Sequence, residues 1–292
     1  MSETHTEPLP DLAGRQARVD EDRLQRDELA RSRRARRRST TWTLTWRLVL
    51  LGALLVGWYV ASGRLVDSLF ASNPVDVGKA FGDEVSSGQL WYHLRYTLLE
   101  VAVGYCAGTA IALALAGTLS IFPTAHRVLH PFLMAFYAIP KIAIAPLMIM
   151  WFGLGLTPKF LLSGIFVFFV VFMNTLAGLR SVSPSLINVA RVMGASRPQL
   201  LLKVVFPSAI PNVLTAMRIT VPEAMVGAIV GEFIAGNHGI GYLINSASNQ
   251  YNTAAVFAGI IAILVVVLIM DTLVTLLERR LMRWRPPSPT ER

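Results

Sequence analysis

Residues 188–214 read NVARVMGASRPQLLLKVVFPSAIPNVL, a basic stretch punctuated by glycine and proline inside a chain that is otherwise mostly apolar. Four Lys/Arg fall between Arg180 and Lys203, with no acid among them. Ser183 followed by Pro184 is an N-cap with proline at the first helical position, and Gly194 suits the left-handed residue that closes a helix. Ser196 and Pro198 repeat the start signal, and Pro207 is expected to stop the second helix before the next apolar run. Leu186, Val189, Ala190 and Met193 recur at helical spacing and give the first helix one apolar stripe, with Asn188 and Arg191 off it. The stretch therefore predicts two short helices forming an L-shaped projection with one buried and one exposed face. A projection that does nothing to cross a membrane is expected to dock a cytoplasmic partner.

The membrane reading comes from composition. The 292-residue chain is 53% hydrophobic and 15% charged, where a soluble domain carries about a quarter charged residues. Predominantly apolar runs long enough to cross a bilayer, with charged residues allowed to snorkel near their ends, lie near 43–62, 96–120, 128–153, 159–178, 209–235 and 254–277, which predicts an all-α membrane protein with six transmembrane helices. The net charge of +9 is spread over tails and loops rather than one soluble surface, which argues for membrane topology and against a nucleic-acid partner. The single Cys106 excludes an internal disulfide and a cysteine-based metal site.

Residues 1–41 hold ten Arg and eight Asp/Glu and read as a polar cytoplasmic tail that cannot bury a core. Six arginines between Arg31 and Arg38 are most simply an anchor obeying the positive-inside bias and attracting anionic lipid, ahead of a twin-arginine export signal or a nucleic-acid patch. A removed signal peptide is not expected, because no small-residue cleavage site follows the first apolar run. An inside N-terminus puts Arg127, the segment 180–203 and the tail at 281–292 on the cytoplasmic side. The outer side receives residues 63–95 and the uncharged stretch 236–253. Within 63–95, Pro74 opens a short amphipathic helix that spaces Val77, Phe81 and Val85 by one turn, and NHGIGYLINSASN at 237–249 reads as a glycine-hinged turn and a short helix between spans. Trp42, Trp46 and Trp58 bracket the first span, residues 42–62, as interfacial anchors.

The opening stretch also resembles a known family. Glu-Ala-Ala, three residues, Gly, nine residues, Ile, any residue, Leu, Pro is the coupling motif of importer-type ABC transporter permeases, and Asn188-Val189-Ala190, Gly194, Val204, Phe206 and Pro207 occupy its positions. AIPKIAIAPLMIMWFGLGLTPK at 138–159 and GEFIAGNHGIGYLI at 231–244 resemble the branch that imports nitrate, sulfonates such as taurine, bicarbonate and heterocyclic vitamin precursors. The resemblance covers roughly residues 70–285. It implies the type I ABC importer permease fold, with a core permease domain over 96–280 and coupling helices over 184–206. It further implies a homodimer in a bacterial plasma membrane, a cytoplasmic ATPase partner that holds ATP and Mg, and an external substrate-binding protein. The chain itself would be a transporter subunit, not an enzyme, and would bind no cofactor. Asn188, Ala190, Arg191, Gly194, Ala195 and Pro207 are the residues expected at the ATPase, and Asn188 stands where the motif has an acid.

The sequence contains no GxxxxGK[ST] phosphate loop, no HExxH and no nucleophile–base arrangement. For a translocation pathway, intramembrane charges and helix breakers are the pointers. Pro140, Lys141 and Pro146 interrupt the third run, freeing backbone carbonyls. Lys141 either meets an anionic substrate, or pairs with Glu223, or snorkels. Glu232 either braces the following GIGYL turn or meets substrate. Asn174 is polar in an apolar helix, where hydrogen bonding to a neighbouring helix is the common use. The substrate is expected to be a small anion such as a sulfonate, taurine or nitrate, with a pyrimidine- or riboflavin-type precursor as the alternative. An ion-coupled secondary transporter is the remaining reading, although no inverted repeat is visible.

Overall fold

A computed structural model describes residues 42–65 and 67–282, and its regular elements are helices. In chain order they are α1 (Trp42–Ala61), α2 (Ser68–Ala71), α3 (Pro74–Ser86), α4 (Gln89–Ile121), α5 (Pro123–Ala138), a 3₁₀ turn (Lys141–Ile144), α6 (Ala145–Phe152), α7 (Leu156–Arg180), α8 (Pro184–Val192), α9 (Arg197–Leu200), a π-helical turn (Leu201–Val205), α10 (Phe206–Ala235), α11 (Ile240–Asn249) and α12 (Thr253–Leu281). The expectations for residues 1–41 and 283–292 lie outside the described residues. By contacts the chain divides after Val66 into two units. The first contributes α1, whose 20 residues extend about 30 Å; near its start Trp42 and Trp46 meet edge to face at 5.7 Å.

Among the described residues, five helices are long and apolar enough to cross a bilayer: α1, α4, α7, the continuous rod Pro198–Ala235 and α12. The sixth expected span is a bent pair, α5 and the 141–152 segment, which meet at 86°. Pro140 supplies the break, since a proline at that point cannot donate into the helix and drives Ile139 to extended backbone. Pro146 does not interrupt anything; it sits in the first turn of α6, where its missing N–H costs nothing.

The core of the second unit is α7 clasped between α4 and α10. Small residues allow the approach. A Cβ added to Gly104 would lie 2.6 Å from the Phe160 carbonyl oxygen, one on Gly108 2.5 Å from that of Gly164, and one on Gly227 2.6 Å from Ser163 Cα. Gly104/Gly108 and Gly227/Gly231 are two small-xxx-small pairs that press on the same stretch of α7, residues 159–164. Close backbone contact of this kind holds helices together in lipid, where no hydrophobic drive exists between them. Around the pairs, Val101, Ala112, Val167, Val171, Phe172, Ala224, Met225 and Ala228 complete the buried layer.

At the α11 end a second core joins Leu90, Ile240, Ile244 and Ala262, with Phe81 and Val85 of α3 packed against them. The amphipathic spacing read from the sequence thus places α3 against α4, α11 and α12, and Val77 is buried. Asn73 caps α3 by accepting from the Val75 and Asp76 amides at 3.0 and 2.9 Å.

The expectation for Pro207 fails as well. Pro207 does not stop the second helix of the projection, which runs on through the π turn into α10. The π turn explains why: the Phe206 amide reaches back to the Leu201 carbonyl, widening the turn where the Pro207 ring would otherwise crowd a carbonyl. The Ser208 hydroxyl then donates to the Val204 carbonyl at 2.6 Å. The boundary at residue 206 is therefore a register shift within one rod.

Candidate functional site

Three places carry the residues singled out by the sequence. The first is the projection between α7 and α10. Ser183 precedes α8 as its cap residue and Gly194 adopts φ +81°, so the start and stop signals fall where the spacing puts them. The Ala195 amide bonds the Ala190 carbonyl at 3.0 Å and the Ser196 amide donates to Gln199 Oε1 at 2.9 Å, fixing the corner. The apolar stripe is not buried, however. Leu186, Val189 and Met193 are exposed, Met193 by 82%, and Val192 by 88%. No residue of α8 is buried; Ile187, off the stripe, is the one that packs on the core. Helical spacing reports which residues share a face, not which face finds a partner. Asn188 and Arg191 are exposed as well.

The second place is the bend at Pro140. Lys141 is half-buried and its ammonium lies over the Tyr137 ring at 5.1 Å and the Phe166 ring at 5.5 Å. It forms no ion pair with Glu223, whose side chain is half-buried elsewhere on α10, so that sequence alternative is not realised. Cation–aromatic contact supplies the stabilisation instead. Asn174 donates to the Val170 carbonyl of its own helix at 2.8 Å, not to a neighbouring helix. Arg218 pairs across to Asp271 of α12 at 3.3 Å.

The third place lies at the α11 end of the core and is built around Glu232, which is 1% exposed. Its Oε1 accepts from the Thr97 hydroxyl at 2.6 Å and its Oε2 from the Gly241 amide at 2.6 Å. Two more backbone donors of the same turn are taken by α4: Gly239 N–H donates to His93 Nδ1 at 3.1 Å and Ile240 N–H to Thr97 Oγ1 at 2.9 Å. From α7, Lys159 Nζ donates to the His238 carbonyl at 3.3 Å and lies 3.1 Å from Glu100 Oε1. Gly239 at φ +109° and Gly241 are positions where a side chain would collide with the Glu232 carboxyl group. The turn at 236–241 is thus clasped by α4, α7 and α10 at once, and Glu232 is spent on bracing it.

Sequence reading missed Lys159, Glu100, Thr97 and His93. Glu100 stands in the otherwise uncharged run 96–120, and an intramembrane carboxylate was the available signal. Lys159 sits at the edge of its run, where a lysine ordinarily snorkels to water; here it is 1% exposed. The two small-xxx-small pairs were legible as a pattern and were not used.

An apolar cleft of about 350 Å³ lies at the root of the projection, between Leu113, Thr175, Leu202, Phe206 and Ile210. Among the described residues no group of three or more His, Cys, Asp or Glu could hold a metal ion.

Comparison with known proteins agrees with this geometry. Residues 107–283 match the family described as binding-protein-dependent transport system inner membrane component. Relatives include the putative aliphatic sulfonates transport permease SsuC of Bacillus subtilis, 34% identical over 82% of this chain and 87% of its own. The riboflavin transport system permease RibX of Chloroflexus aurantiacus is 37% identical over 83% and 91%. The taurine transport system permease TauC of Escherichia coli is 32% identical over 86% and 94%. Among solved structures, inward-facing MetNI methionine ABC transporter superposes with a TM-score of 0.53 at 22% identity, covering 64% of this chain and 92% of the other. An amino acid ABC transporter gives 0.56 at 21%, covering 68% and 98%; likeness at this identity speaks to the fold.

Proposed function

The chain belongs to the binding-protein-dependent transport system inner membrane components, in the branch that holds the sulfonate and taurine permeases, and from that membership we propose that it carries a small organic anion into a bacterial cell across the plasma membrane. As an ABC importer permease it is a membrane subunit and not itself an enzyme; the secondary-transporter reading is set aside by the same membership. In this reading the ATP and Mg are held by a separate cytoplasmic ATPase, an external binding protein delivers substrate, and two copies of the chain pair to enclose the path. The termini and α8 face the cytoplasm, and the α11 end faces outward.

The observation that carries the coupling role is the exposed apolar face of α8. Leu186, Val189, Val192 and Met193 are turned away from the core on a helix whose corner is fixed by Gly194. An apolar ridge on a charged cytoplasmic projection is what a groove in an ATPase would bury, with Asn188, Ala190, Arg191 and Ala195 around it. Pro207 acts one step back, where the projection joins the rod.

For the cargo, the supporting observation is Lys141. Its ammonium has no carboxylate partner among the described residues, lies on aromatic rings at the bend, and is only half-buried. An unpaired cation at membrane depth favours a sulfonate or similar anion over a neutral solute. The second reading, a flavin or pyrimidine precursor, is favoured by the 37% identity to the riboflavin permease and by the rings of Tyr137, Phe168 and Phe169 near the same bend. A ligand-binding screen of the cognate external binding protein against sulfonates, taurine, nitrate, riboflavin and pyrimidines separates the two. Binding of anions alone supports the first; binding of heterocycles alone overturns it.

A further inference from the structure

The clasp at the α11 end contains one cation and two carboxyl groups, all 1% exposed: Lys159, Glu100 and Glu232. With both acids ionised the group would hold a net negative charge inside the protein, and an uncompensated charge there is costly. The remaining titratable neighbours do not supply the missing positive charge. His93 accepts the Gly239 amide at Nδ1, so that nitrogen carries no proton and the ring is neutral. His238 turns its ring outward, stacked on Tyr96 with centroids 4.5 Å apart, and offers the clasp its backbone carbonyl. Thr97 gives its hydroxyl proton to Glu232.

The hydrogen bonds fall unequally on the two acids. Glu232 receives two short donors. Neither oxygen of Glu100 receives a directed hydrogen bond, although both are buried, and Lys159 meets Oε1 only as an ion pair. Thr97, one turn before Glu100 on α4, already bonds the Glu232 carboxyl group, and this brings that carboxyl beside Glu100. Two carboxylates cannot bond to one another, because both are acceptors; one of them must carry a proton.

We propose that the clasp stores one proton between Glu100 and Glu232, so that Lys159, the shared proton and the two carboxyl groups form an electrically neutral unit holding the 236–241 turn onto α4, α7 and α10. The proton is shared by the pair rather than owned by one acid, so Glu100 keeps negative character toward Lys159 while Glu232 keeps its two donors. The proton is a structural component of the fold here, in the place where a second lysine would otherwise be needed.

The test is infrared difference spectroscopy on the full-length permease reconstituted in lipid. Wild type is expected to show the carbonyl stretch of a buried protonated carboxylic acid at a pH where exposed carboxylates are fully ionised. In Glu100→Gln that band is expected to disappear, because the amide donates to Glu232 without a titratable proton, and the variant should assemble at wild-type yield. Lys159→Met removes the cation and should strengthen the band about twofold, since both acids must then be neutral. No difference band between wild type and Glu100→Gln, or an unchanged band in Lys159→Met, overturns the proposal. The readout is the carboxyl group itself, so the outcome does not depend on which solute is carried.

Discussion

Lys159 and Glu100 form an ion pair of 3.1 Å in which both side chains are 1% exposed, joining the first turn of α7 to the third turn of α4 at the end of the molecule where the 236–241 turn is held. Breaking a buried pair by removing one partner costs about 3–5 kcal/mol, because the other group is left without compensation. Lys159→Met is therefore expected to lower the thermal midpoint of the purified permease sharply. Combining it with Glu100→Gln should recover a substantial part of that loss. The measurement is unfolding in detergent followed by size-exclusion fluorescence, and equal midpoints for the single and double variants would contradict the pairing.

The two small-xxx-small pairs make a second prediction. Gly108→Leu and Gly227→Val insert atoms where backbone lies within about 2.6 Å of the new Cβ, and overpacking of this kind costs about 1–3 kcal/mol or more. Gly82→Ala is the control: the position is exposed, helical and open to a Cβ, so replacing glycine there should stabilise by about 0.5–1 kcal/mol. Thermal midpoints should rank Gly82→Ala above wild type and both core variants well below it.

Much of this was readable in the chain. Asn73-Pro74 and Ser183-Pro184 announced helix starts and Gly194 a helix end, because caps and left-handed turns are decided by a few neighbouring residues. The bend at Pro140 was readable for the same reason. Pro207 misled because proline's usual effect assumes an α-helical carbonyl four residues back, and the π turn moves that carbonyl away. The side of α8 that meets the core, through Ile187, and the Lys159–Glu100 pair were hidden for another reason. Both depend on which distant segment arrives to cover a side chain, and residues 59 positions apart leave no local trace of meeting.

Gly194 tests the coupling reading. A β-branched residue at φ +81° costs about 1–3 kcal/mol of backbone strain, which would re-aim α8. Gly194→Val should reduce ATPase stimulation by substrate-loaded binding protein by about tenfold, the equivalent of roughly 1.4 kcal/mol, while the ATPase still co-purifies in part. Met193→Glu, placed on the exposed ridge, should weaken co-purification itself. Full stimulation in both variants would remove the docking role from this face.

Lys141 is the discriminating residue for cargo. Lys141→Ala should lower uptake of an anionic substrate at least several-fold with assembly unchanged, since its side chain contacts two aromatic rings and no ion-pair partner. Lys141→Arg should retain most of the uptake, because the guanidinium keeps the charge over the same rings. Uptake assays in vesicles containing the whole transporter decide the matter, and equal rates for alanine and wild type would withdraw the anion argument.

The continuity of the helix through Pro207 has a mechanical consequence. The rod from Pro198 to Ala235 has 38 residues, roughly 55 Å at helical rise, and carries α9 at one end and Glu232 near the other. A hinge at Pro207 would let a tug on α9 dissipate as bending; an unbroken rod passes it on as torque. A small twist imposed at α9 therefore arrives at the far end of the rod as a displacement of the very carboxyl group to which the last turn is moored.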